Sequence, residues 1–131
     1  MQRWLDPAVL EWQAFTESST VNDDVAWKRP YEIWRHAETT LNATPTEFQR
    51  TDALIALRRA VDRRVRQLQA MYDPRSIPIP EKPAGTLELF EYFGVVRPQM
   101  LQRLIDLRNR VEHEDEAPPS IDELKIYQEF V

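Results

Sequence analysis

Glycine occurs only twice in this 131-residue chain, at Gly85 and Gly94, while ten prolines punctuate it. Few positions can therefore adopt a left-handed backbone without strain. Abundant Ala, Leu, Arg, Glu and Gln favour helices instead. Two glycines are too few for a GxGxxG turn or a P-loop, which excludes glycine-rich phosphate binding. No segment alternates apolar and polar residues as a strand would, so the expected class is all-α.

The prolines and polar caps set the joints. Asp6-Pro7 reads as a cap and first helical residue, giving a short helix over about 7–15. Residues 16–24, TESSTVNDD, read as a polar loop. Pro30 is placed to open a second helix, with Tyr31, Trp34, Ala37 and Leu41 at helical spacing. Thr44-Pro45-Thr46-Glu47 has the pattern of a capping box and starts the longest element, reaching about Tyr72. Its stripe is Leu54, Leu57, Val61, Val65, Leu68 and Tyr72. A proline-rich connector covers 73–82. Thr86 is expected to cap a short helix that Gly94 ends. Pro98 opens a helix carrying Met100, Leu104, Leu107 and Val111, and Pro118-Pro119 break it near Asp115. Ser120-Ile-Asp-Glu123 caps a last helix. The reading is a helical bundle over 45–131 with a Trp-rich helical extension over 1–44.

Charge and cysteine content narrow the function. Asp and Glu number 22 against 17 Lys and Arg, so the net charge is -5. That disfavours a general phosphate-coating protein. Fourteen of the 17 cations are Arg, the side chain suited to planar, bidentate phosphate contacts. Zero cysteines exclude disulfides and thiol catalysis, and two histidines disfavour a His-rich metal centre. No metal or other cofactor is expected. The start MQRWLDPAVLEW lacks an apolar signal region, and no run reaches the roughly 18 apolar residues of a spanning helix. The expected setting is cytoplasmic, without a membrane.

The chemistry concentrates in Leu107-Arg108-Asn109-Arg110-Val111-Glu112-His113. Arg108 is permanently cationic and suits a phosphate or a developing phosphorane. Imidazole serves as acid or base near neutral pH, which suits His113 to proton transfer. Asn109 and His113 are four apart and share a helix face. Arg108 and His113 are five apart, about 140° around the axis, so one helix aims them poorly at one atom. A second copy across a two-fold axis would repair this.

The Arg-Asn-x-x-x-His motif on a late helix resembles the signature of the HEPN superfamily. The preceding TLELFEYFGVVRPQMLQRLIDLRNRVEHE is similar to its short-helix, Gly, long-helix arrangement. The resemblance covers about 45–131 and implies a HEPN-like four-helix bundle. It implies a metal-independent endoribonuclease acting as a homodimer, in defence, a toxin–antitoxin pair or a stress response. His113 would be the acid/base, Arg108 would hold the scissile phosphate, and Asn109 would orient His113 or the phosphate. A 2′-hydroxyl nucleophile would confine cleavage to RNA. The alternative is a catalytically silent HEPN-like module that dimerises or holds a protein partner or antitoxin. An unrelated helical adaptor is the third reading.

Arg58, Arg59, Arg63, Arg66 and Arg110 are the candidate RNA-binding set, either lining a groove or forming a solvated helix face. Arg108–Glu112 and Asp106–Arg110 also have the spacing of ordinary helix-face ion pairs. All four Trp fall at or before residue 34. They favour packing of the N-terminal region over base stacking. His36 has no ligand partner at metal spacing and reads as a surface histidine.

Overall fold

The computed structural model describes residues 25–131, with side chains described from Lys28 onward. The helix expected at 7–15, the loop at 16–24, Trp4, Trp12 and the Trp27 side chain lie outside the described residues. The described chain is an all-α bundle of five helices: α1 (Val25–Asn42), α2 (Glu47–Tyr72), α3 (Thr86–Tyr92), α4 (Pro98–His113) and α5 (Ile121–Phe130).

Helix α2 is the spine, about 39 Å long at 1.5 Å per residue. Its cap lies two residues later than the sequence pattern suggests. Thr46 is the N-cap, and its hydroxyl accepts the Gln49 N–H at 3.3 Å. The Gln49 side-chain oxygen accepts the Thr46 N–H at 2.9 Å, completing a reciprocal box. Pro45 precedes the helix and is buried. Thr44 takes a left-handed φ of 54°, so it makes the turn rather than the cap. At the other end Asp73 is left-handed and donates its N–H to the Gln69 carbonyl.

Two further boundaries depart from expectation. Helix α1 begins before Pro30, which sits inside it. Proline there loses the bond to the carbonyl four residues back and crowds that carbonyl, and its ring is buried. Thr86 lies within α3, which starts after Gly85 without a side-chain cap. Its hydroxyl instead accepts from the Gln69 side-chain amide at 3.0 Å, tying α3 to α2. Gly94 ends α3 as expected, with φ 69°. Val95 N–H bonds the Phe90 carbonyl at 2.8 Å, the six-to-one bond of a glycine-terminated helix.

One core joins α1, α2, α4 and α5. Ile33, Ala37 and Leu41 of α1 meet Ala53, Leu54, Leu57 and Ala60 of α2, with Leu104, Leu107, Val111, Leu124 and Tyr127. The core therefore runs across position 45. Alanines let α1 approach α2 closely, and the small face was not part of the stripe read from the sequence. That stripe is covered only in its first half: Leu54 and Leu57 are fully buried, Val61, Val65 and Leu68 half-buried, and Tyr72 is 63% exposed.

Helix α5 is held at both ends. Ser120 caps it, accepting the Glu123 N–H at 3.2 Å. Near its C-terminus the Gln128 carbonyl, which has no partner within the helix, accepts the Trp34 indole N–H at 2.9 Å. Such a bond contributes about 0.5–1.5 kcal/mol. Burial pushes the Tyr127 phenol above its usual pKa; Glu123 adds to the rise, and Arg103 and Arg110 oppose it.

Leu57 has no exposed surface. Leu57→Ala should cost about 2–5 kcal/mol in urea denaturation followed by circular dichroism. A loss under about 1 kcal/mol would contradict its central place in the core.

Candidate functional site

Helix α4 starts at Pro98, after Arg97, and buries Leu101, Leu104, Leu107 and Val111. That stripe fixes the helix rotation and hence where the remaining residues point. Asn109 and His113 are exposed, and Arg108 is half-buried at the edge of the stripe. Among the described residues no polar or charged residue is buried, so the core consumes none of the three.

Arg108 has two neighbours on its own helix. It forms an ion pair with Glu112, one turn along. It also donates to the Asn109 side-chain oxygen at 3.1 Å. The structure thus joins Arg108 to Asn109. It does not join Asn109 to His113, although four-residue spacing permits that contact. His113 makes no side-chain bond among the described residues. It is the last residue of α4, where a cationic form would face the negative end of the helix dipole.

The turn after His113 is specific. Glu114 N–H bonds the Arg110 carbonyl at 2.9 Å, and Asp115 is left-handed with φ 54°. This brings Glu116 back beside α4, where its carboxylate meets Arg110 Nε at 3.2 Å. Arg110 therefore pairs with Glu116, not with Asp106. Asp106 accepts from the Gln102 amide at 2.7 Å instead. Sequence spacing missed Glu116 because the left-handed residue lies between the partners. Pro118 and Pro119, expected only as breakers, are both buried.

The α2 arginines divide. Arg58 is half-buried and forms an ion pair with Asp62. Arg59, Arg63 and Arg66 are exposed and have no ion pair among the described residues. With Asp62 they line a shallow hollow of about 180 Å³. A larger apolar groove of about 480 Å³ lies between the second half of α2, Val96, Leu101 and the end of α5. It was not read from the sequence, because its walls come from separate elements. His36 is exposed on α1. Among the described residues no cluster of His, Cys, Asp or Glu is placed to hold a metal ion. No described helix is long and apolar enough to cross a membrane.

No protein-family model matches the chain, and no curated protein or solved structure matches it significantly.

Arg108 is a third exposed and its ion pair is local. Arg108→Gln should therefore change stability by less than about 1 kcal/mol in urea denaturation. A loss above about 2 kcal/mol would make Arg108 a structural residue.

Proposed function

We propose that this chain is a HEPN-like, metal-independent endoribonuclease that works as a homodimer. The observation that carries the reading is the placement of Arg108, Asn109 and His113. All three lie near the C-terminal end of α4, outside the core, on a helix whose rotation the buried leucines fix. The spacing of the motif, and the all-helical bundle beneath it, agree with the family resemblance.

The chemistry follows from the side-chain types. The 2′-hydroxyl of one nucleotide loses its proton to the His113 imidazole and attacks the adjacent phosphorus. The Arg108 guanidinium binds the non-bridging oxygens and stabilises the charge that builds on them. The bond from phosphorus to the 5′-oxygen breaks, and that oxygen takes a proton from a protonated imidazole. The products are a 2′,3′-cyclic phosphate end and a 5′-hydroxyl end. Arg108 and His113 diverge by about 140° on one helix, Arg108 half-buried and His113 exposed. A two-fold dimer would face the His113 of one protomer toward the Arg108 of its partner.

A specific observation favours a second reading, a silent interaction module of the same fold. Glu112 and Asn109 already engage the Arg108 side chain, and Glu114, Asp115 and Glu116 follow His113. A phosphate must displace Glu112 from Arg108 and also approach Glu114 and Asp115, whose like charge repels it.

Cleavage of single-stranded RNA in EDTA decides between the readings. The nuclease reading expects wild-type cleavage and a loss of at least about 100-fold in His113→Ala, the usual scale of acid–base catalysis. Equal cleavage by both proteins, a requirement for added metal, or no wild-type cleavage would reject it.

A further inference from the structure

We infer that the outer face of α2 is a track for the phosphate backbone of single-stranded RNA, with Arg59, Arg63 and Arg66 as its contacts. The identity of the strand rests on the ribonuclease reading; the track itself rests on separate observations.

The first is the local balance of charge. The chain is acidic overall, and its other candidate phosphate-binding arginines are neutralised locally. Arg58 pairs with Asp62, Arg108 with Glu112, and Arg110 with Glu116. Among the described residues Arg59, Arg63 and Arg66 are not paired in this way. They are spaced four and three residues apart, so their like charges repel on one helix face. Among the described residues Asp62 is the one carboxylate lining the hollow between them, and it is engaged by Arg58.

The second is direction. At 100° per residue, the three arginines fall within an arc of about 60°. Leu57, which is fully buried, lies roughly opposite. All three arginines are exposed on the side away from Leu57, with Arg63 nearest the buried Ala56 and Ala60. Along the axis they rise by about 6 Å and then 4.5 Å. A row of this kind fits a chain of phosphates better than a lone anion. Between them is the 180 Å³ hollow, lined by these three residues and Asp62 alone. Each guanidinium presents a planar fork that matches phosphate oxygens.

Arg64 is excluded by the same rotation. It turns toward the core side and lines the apolar grooves beside Val131. Of the five candidate arginines the track keeps three, leaving out Arg58 and Arg110, which are paired with carboxylates.

The test measures binding of a fluorescein-labelled oligouridylate in a His113→Ala background, so that the strand stays intact. The ridge variant carries Arg59→Gln, Arg63→Gln and Arg66→Gln. A control of equal charge carries Arg29→Gln, Arg35→Gln and Arg97→Gln. Circular dichroism confirms that both are folded. Removing one arginine–phosphate pairing lowers the slope of log K against log salt by about 0.7 for a single strand. The ridge variant should therefore show a slope shallower by about 2, and at least about tenfold weaker affinity at low salt, while the control stays within about twofold. An unchanged slope, equal weakening by the control, or no binding by the parent protein overturns the track. Weakened binding in the ridge variant without any wild-type cleavage would keep the track and reject the nuclease. Wild-type cleavage with an unchanged ridge slope would do the reverse.

Discussion

Helix α2 can bury only one side, and the side it buries decides where every chemically able residue of the bundle ends up. Ala53, Leu54, Ala56, Leu57 and Ala60 are buried in the core that α2 shares with α1, α4 and α5. Because α2 is pinned on that side, Arg59, Arg63 and Arg66 are held outward. Because Leu104, Leu107 and Val111 pack into the same core, α4 is rotated so that Asn109 and His113 face solvent. The rigidity comes from close packing, in which a buried leucine cannot be turned out without leaving a void.

Much of this was legible in the chain itself. The apolar stripe of α4, the first half of that of α2, Gly94 as a helix end, Pro98 as a start and Ser120 as a cap all follow from short-range rules. Short-range rules also explain the misses. Two threonines two residues apart, Thr44 and Thr46, both satisfy a capping pattern; the left-handed Thr44 and buried Pro45 select the second. Pro30 looks like a helix start, yet it sits inside α1 with its ring buried, so the helix carries the lost bond and the crowded carbonyl. Thr86 is engaged by Gln69, 17 residues away, a pairing that no local pattern encodes.

The candidate site divides in the same way. Arg108–Glu112 is an i,i+4 pair and was readable; Arg110–Glu116 needs the left-handed turn at Asp115 and was not. Which α2 arginines are neutralised depends on side-chain geometry, since Asp62 lies four residues from both Arg58 and Arg66 and pairs with Arg58. Arg108 sits a third exposed beside a carboxylate that a phosphate must displace. That competition, and not the presence of the motif, is what separates a working site from a silent one.

The central claim is that α4 carries a nuclease whose nucleophile belongs to the RNA. A DNA oligonucleotide with one embedded ribonucleotide tests it directly, with the product ends analysed by mass spectrometry. The account predicts a single cut, on the 3′ side of the ribonucleotide, leaving a 2′,3′-cyclic phosphate and a 5′-hydroxyl. Cuts at deoxynucleotides, or ends bearing a 3′-hydroxyl and a 5′-phosphate, would contradict it.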